Sequence, residues 1–242
     1  MITSADNTKL KAAAKLRRRR SREKAGLFLT EGEDLLEAGL AAGREPEFAL
    51  VRAGSGLPGD EVDPALLDRA STLESGTRAL AVWPIAWSEV GSGPCIFLAG
   101  IADPGNTGSI IRTVDALLEA TVVIGPGGAD PFSPSSVRAS MGAIFTQPVA
   151  RGAVESTPAP RIGLVSEGGS VPTFSNDPMT LCLGSEREGL SGEILNQCEE
   201  RWTIPMRGGG TGSLNVAAAA AIACDGMRKA LVATESVRGA TA

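Results

Sequence analysis

Histidine is missing from this 242-residue chain, and with it go the commonest general base and every Ser-His or Cys-His nucleophilic arrangement. Any chemistry must use Arg, Lys, carboxylates, hydroxyls or thiols. Cysteine is scarce: Cys95, Cys182, Cys198 and Cys224 show neither zinc-ligand spacing nor the density of a disulfide scaffold. They read as reduced and mostly structural, and no metal site is expected. No apolar run approaches the roughly 20 residues that span a bilayer, and no signal-peptide core follows the charged N-terminus. The expectation is a soluble, cytoplasmic chain without a membrane partner. A last absence concerns RGGGTGSLNVAAAAA at 207–221. Glycines feeding a helix suggest a phosphate cradle, yet no Lys-Ser/Thr follows as a P-loop requires, and the spacing fails the dinucleotide fingerprint.

The chain does have an apolar fraction of 43%, ample for a buried core, and a very uneven charge. Residues 1–24 hold nine Lys/Arg against Asp6 and Glu23, so +7 of local charge sits on a chain whose net charge is −5. The segment KLKAAAKLRRRRSREK reads either as a solvated helix face or as a basic, anion-binding arm over 9–24. The consecutive arginines and nearly single sign favour the arm. Lys15, Arg17, Arg18, Arg19, Arg20, Arg22 and Lys24 are then its candidate phosphate contacts.

After the arm, LFLTEGEDLLEAGLAAG reads as a short strand and a helix, with Leu35, Leu36, Ala38 and Leu40 as its apolar residues and Gly43 as its stop. EFALVRAG reads as another strand, and short elements continue to alternate to about Val82. These make a small N-terminal α/β domain, 1–82. Gly, Pro and Ser crowd the following stretch, which reads as a linker over 83–93. From 94 to 242 the strands become nearly all apolar: CIFLAGI, TVVIG, RIGLVS, TLCLG and RWTIP. That pattern predicts a mostly parallel sheet covered on both faces, with ligands beyond the carboxyl ends of the strands. The unusual loops fall there: DPGNTGS, GPGGADPFSPSS, GSEREGLS and PMRGGGTGSLN.

Each loop has a bland reading beside a chemical one. In the first, Ile110, Ile111, Val114, Leu117 and Leu118 share one helical arc and Arg112 falls nearly opposite, so Arg112 points away from the core. It is either a solvated arginine or a functional one, while Asp103 to Asn106 suit a turn and helix cap. In the second, Glu186 and Glu188 suit general acid/base work, but acids in a first helical turn are also favoured by the macrodipole. In the third, capping accounts for Ser213 or Asn215, though not for both together with the nearby glycines.

Taken together, N-x-G-x-x-x-R at Asn106, Gly108 and Arg112, LGSEREGLS from Leu183, and IPM…SLNVAAAAAI from Ile204 to Ile222 resemble the three motifs of the SpoU, or TrmH-like, branch of the SPOUT superfamily of RNA methyltransferases. The first 35 or so residues look like the substrate-binding domain of ribosomal-RNA members. The resemblance implies an α/β fold throughout, with a small N-terminal L30e-like domain and a C-terminal SPOUT domain of mostly parallel sheet with a deep trefoil knot. Such a knot is a rare exception to the rule against threaded loops. On that reading Gly208, Gly209, Gly210 and Gly212 permit close backbone approach, and Ala217–Ala221 form a slender helix. The glycine loop becomes a cradle for S-adenosylmethionine, whose contacts are Gly184, Ser185, Glu186, Gly189, Ile204, Pro205, Met206, Ser213, Leu214 and Asn215.

The same resemblance implies methyl transfer from the sulfonium to a ribose 2′-hydroxyl of RNA, taken here as 23S ribosomal RNA, without a metal. Arg112 would position a phosphate and stabilise the developing alkoxide; a guanidinium is a poor base near neutral pH, although base action helped by the phosphate stays open. Asn106 would orient Arg112 or the ribose, Glu186 would hold the second loop, and Ser213 and Asn215 would complete the pocket. Arg138 joins the arm as an RNA contact. A homodimer through the knot region is implied, which would bring a second arm to a catalytic part holding ten Lys/Arg against fourteen Asp/Glu. A tRNA substrate, a catalytically idle RNA-binding or ribosome-assembly factor, and a nucleotide-binding enzyme of ordinary Rossmann type stay open.

Overall fold

The computed structural model describes residues 1–73, 76–175, 177–207 and 213–239, the last seven by backbone alone. In chain order the elements are α1 (Thr8–Lys15), α2 (Arg19–Ala25), β1 (Leu27–Glu31), α3 (Glu33–Ala41), β2 (Phe48–Arg52), β3 (Asp60–Val62), α4 (Pro64–Ala70) and β4 (Ala79–Pro84). There follow β5 (Cys95–Ala99), α5 (Pro104–Leu117), β6 (Thr121–Ile124), α6 (Pro134–Ser140), β7 (Val149–Arg151), β8 (Arg161–Leu164), β9 (Thr180–Gly184), α7 (Gly192–Leu195), β10 (Glu200–Trp202) and α8 (Val216–Gly239). They form two units: Met1–Ala86 with Asp130–Thr146, and Trp87–Ala129 with Gln147–Ala242.

The first unit is built on a four-stranded sheet ordered β1-β4-β2-β3, with β4 antiparallel to both neighbours and β3 parallel to β2. Strand alternation sends Leu29, Leu50, Leu80 and Val82 to one core, where Leu10, Ala13, Leu16 and Leu67 join them. Asn7 starts α1 by accepting from the backbone N–H groups of Lys9 and Leu10, at 2.9 and 3.3 Å. Within the basic arm expected over 9–24, Leu10, Ala13 and Leu16 belong to this core. The arm's first helix is amphipathic, with an apolar side that is part of the core and lysines on the outside.

A second apolar cluster in this unit draws on residues far apart in sequence. The Phe28 ring lies 5.2 Å from Phe132 and 5.9 Å from Phe145, and Trp83 lies 4.7 Å from Phe145. Arg22 and Asp130 form an ion pair at 2.6 Å, with side chains only 3% and 6% exposed. These contacts hold 130–146 in the first unit. The sequence reading ran the second domain unbroken from 94 to 242, and the packing departs from it at this segment.

The second unit is a six-stranded, wholly parallel sheet ordered β10-β8-β9-β5-β6-β7. All five apolar strands expected from the sequence are present, and β7 adds a three-residue edge. From β5 the chain moves outward through β6 and β7, then resumes on the opposite side of β5, so the order reverses between β5 and β9. Such a switch point opens a crevice at the carboxyl ends. Register places Ala99 beside Gly184 at those ends, which sets the following loops next to each other. Helix α5 buries Ile110, Ile111 and Val114, and α8, which packs on it, buries Ala220, Ala223 and Cys224. The threading of a knot depends on the path through 208–212. That segment, with Gly208, Gly209, Gly210 and Gly212, lies outside the described residues. Among the described residues no helix is long and apolar enough to cross a membrane.

Candidate functional site

The loops after β5, β9 and β10 meet at the switch point of the second unit. Asp103 caps α5, its carboxylate accepting from the N–H groups of Gly105 and Asn106 at 2.6 and 3.3 Å, with Pro104 in the first turn. The bland cap reading of DPGN is therefore correct, and the cap also fixes where Asn106 begins. From there the Asn106 amide donates to Glu186 Oε1 at 2.7 Å, and its Oδ1 accepts from Asn215 Nδ2 at 3.1 Å. One side chain thus ties all three loops together. Asn215 caps α8 as well, accepting from the N–H groups of Ala217 and Ala218 at 2.9 and 3.3 Å.

The loop after β9 doubles back on itself. Ser185 and Gly189 exchange backbone hydrogen bonds at 3.1 and 3.0 Å, and Gly189 turns with φ +67°. A Cβ on Gly184 would lie 2.2 Å from the Gly189 carbonyl carbon, so only glycine lets the two limbs of the loop come this close. Beside this loop is a cleft of about 540 Å³, within the range of small-molecule and cofactor sites. Gly184, Ser185, Glu186, Gly189, Ile204, Met206, Ser213, Leu214 and Asn215 line it. Pro205, also expected there, is exposed and does not. Met206 and Leu214 are each 41% exposed at its edge, apolar surface beside polar backbone.

Sequence reasoning missed Leu164, Val165 and Ser166, which line the same cleft from the end of β8. The run RIGLVS carried no unusual loop, and only the strand order, with β8 next to β9, brings it to the site. Arg112 is not a lining residue. It lies six positions after Asn106, about 9 Å farther along the helix and turned by roughly 120°. It is exposed, and its side chain makes no ion pair or hydrogen bond among the described residues.

The candidate RNA contacts all lie in the first unit. Lys15, Arg18, Arg20, Lys24 and, on α6, Arg138 are exposed. Arg19 pairs with Glu23 at 2.9 Å, and half-buried Arg17 donates to the Ala70 carbonyl. Arg22 must be removed from the set. It is buried, donates to Asp130 through Nε and Nη2, and reaches the Leu16 and Arg17 carbonyls through Nη1 at 2.8 and 2.9 Å. Its donors are committed to the fold.

Residues 93–225 match the model of the SpoU rRNA Methylase family, and residues 7–82 match that of the MRM3-like substrate binding domain. The chain is 29% identical over 242 positions to the 23S rRNA (guanosine(2553)-2'-O)-methyltransferase RlmP of Bacillus subtilis (strain 168), an alignment covering 91% of this chain and 96% of that protein. It is 36% identical over 143 positions to the 23S rRNA (uridine(2479)-2'-O)-methyltransferase of Streptomyces viridochromogenes, there covering 52% of this chain and about half, 49%, of the relative. A solved structure of a putative RNA methyltransferase of the TrmH family from Porphyromonas gingivalis superposes with a TM-score of 0.81 at 30% identity, over 95% of this chain and 99% of the other. The family model spans more than half the residues and contains the three loops joined through Asn106, and on that ground the chain belongs to the SpoU rRNA methylase family.

Proposed function

We propose that this protein transfers the methyl group of S-adenosylmethionine to a ribose 2′-hydroxyl of ribosomal RNA, 23S rRNA in particular. The observation that carries the reading is the union of three motif loops through Asn106 with Glu186 and Asn215, the latter two lining the cleft. The cleft fits the cofactor. It offers apolar walls from Leu164, Leu183, Ile204 and Leu214 for an adenine, and backbone polar groups of 184–189 for hydrogen bonds. Bound there, S-adenosylmethionine supplies a methyl group already activated by its sulfonium, so the protein's task is chiefly alignment.

Asn106 and Glu186 hold the second loop against the start of α5, and Asn215 keeps the third in the same frame. Ser213, exposed beside Leu214, offers a hydroxyl at the rim. Arg112 donates to the 2′-oxygen and an adjoining phosphate as the hydroxyl proton leaves, a fixed cation where negative charge develops. The first unit is the RNA-binding domain, contacting phosphates through Lys15, Arg18, Arg19, Arg20, Lys24 and Arg138, with Arg17 at the border. A homodimer through the knot region belongs to the same reading, supported by the exposed Ile222 and Val232 of α8, as does action in the cytoplasm, where ribosomal RNA is assembled. Isothermal titration with S-adenosylmethionine tests the reading. Saturable heat at one site per chain is expected, and no heat from the folded protein would favour an idle RNA-binding factor instead.

A further inference from the structure

Two of the four cysteines stand together beneath the second loop. Cys182 is on β9, two positions before Gly184, and Cys198 follows α7. Register pairs Cys182 with Gly163 of β8, and such partners project from the same face of the sheet about 4.8 Å apart. A Cβ on Gly163 would lie 3.5 Å from Cys198 Sγ. The absence of a side chain at Gly163 therefore leaves the sulfur of Cys198 beside Cys182, and both pack in one apolar cluster. Cys182 is buried and Cys198 is half-buried, so solvent reaches only one of them.

Cys198 Sγ donates to the Ile194 carbonyl at 3.3 Å. The nearby Cys182 thiol holds Cys198 below the ordinary thiol range, with Arg161 and Arg201 adding to the lowering and burial and Glu199 opposing it, while the Cys198 sulfur together with burial holds Cys182 above that range. Burial pushes Cys95 up to about 11 and Cys224 up to about 12, which keeps those two inert.

We propose that Cys182 and Cys198 form an oxidative modification site, in which a hydroperoxide converts the two thiols to a disulfide that closes a ring around the second-motif loop. The Cys198 sulfur attacks the peroxide, the O–O bond breaks, and Cys198 sulfenic acid forms as the peroxide is reduced to an alcohol or to water. The Cys182 sulfur then attacks Cys198; the S–S bond forms, the S–O bond breaks, and the departing hydroxyl takes the Cys182 proton as water. The closed segment 183–197 contains Gly184, Ser185 and Glu186 of the cleft, and a thiol reductant reopens it. This goes beyond the proposed methyl transfer and does not depend on it.

The test treats the full chain with hydrogen peroxide, alkylates the remaining thiols in denaturant, and maps non-reduced peptides by mass spectrometry. A Cys182–Cys198 linked peptide lighter by two hydrogens is expected, with Cys95 and Cys224 alkylated, and prior reduction should make all four cysteines alkylatable. Hydrogen exchange across 183–197 should slow in the oxidised protein and recover on reduction. Cys198→Ser should leave Cys182 fully alkylatable. Four free thiols after peroxide, a link through Cys95 or Cys224, or Cys198 sulfinic acid beside free Cys182 would overturn the proposal, as would unchanged exchange in a protein shown to be cross-linked.

Discussion

Asn106 is the side chain on which the arrangement of the site turns, because its two hydrogen bonds reach residues 80 and 109 positions away. Asn106→Ala should lower methyl transfer by roughly tenfold or more, on a net worth of about 1 kcal/mol for each bond. Two bonds of that worth should also lower the thermal midpoint by several degrees, so turnover is read well below it; normal turnover in the folded variant would show that the three loops hold their places unaided. Arg112 makes a sharper case. Arg112→Lys preserves the charge and removes the planar fork, so transfer should fall by on the order of 10²-fold while cofactor affinity stays the same. A merely solvated arginine would leave turnover alone and shift stability by no more than about 0.5 kcal/mol. Single-turnover transfer beside a direct cofactor titration separates the two. Arg22 shows what single residues hide. In sequence it is one of several basic neighbours, and its acidic partner lies 108 positions away, where no local pattern could point.

Among the elements, the strands of the second unit were the most legible, because parallel strands buried on both faces are written as nearly pure apolar runs. β7 was not, since three residues carry no measurable period. α1 was legible and was overridden. Leu10, Ala13 and Leu16 recur every third residue, but the interleaved lysines made the segment look like an arm. As a consequence, deleting residues 1–24 should unfold the first unit rather than trim a tail. The sequence puts GPGGADPFSPSS, 125–136, among the loops of the catalytic face, and the place of 130–146 in the first unit rests on Phe132, Phe145 and Asp130 meeting residues around 22–28 and 83. Asp130→Ala leaves the Arg22 guanidinium buried without its counter-ion, which should cost about 3–5 kcal/mol. Denaturant unfolding followed through the tryptophans checks this, and a midpoint near that of the unaltered protein would remove the ion pair from the account of how α6 is held.

For the whole molecule, the property that bears on function is that the densest run of basic charge, nine Lys/Arg within residues 1–24, belongs to one unit and the cleft to the other. Exchanging exposed Lys15, Arg18, Arg20 and Lys24 for Gln should weaken RNA binding and flatten its salt dependence by about 0.7–0.9 in the log–log slope for each phosphate that the protein no longer neutralises. The fold should survive, because these side chains lie outside the core. An unchanged slope would move the RNA to another surface. The separation of a basic segment at 1–24 from the cofactor motifs is readable from composition and motifs, whereas the joining of the three loops needs the strand order of the sheet. The most direct test of the central claim is the chemical position of the transferred methyl. Labelled S-adenosylmethionine is incubated with the protein and ribosomal RNA, and the RNA is digested to nucleosides. The account predicts label in a 2′-O-methylated nucleoside, and label on a base, or none in RNA from a protein that binds the cofactor, would contradict it.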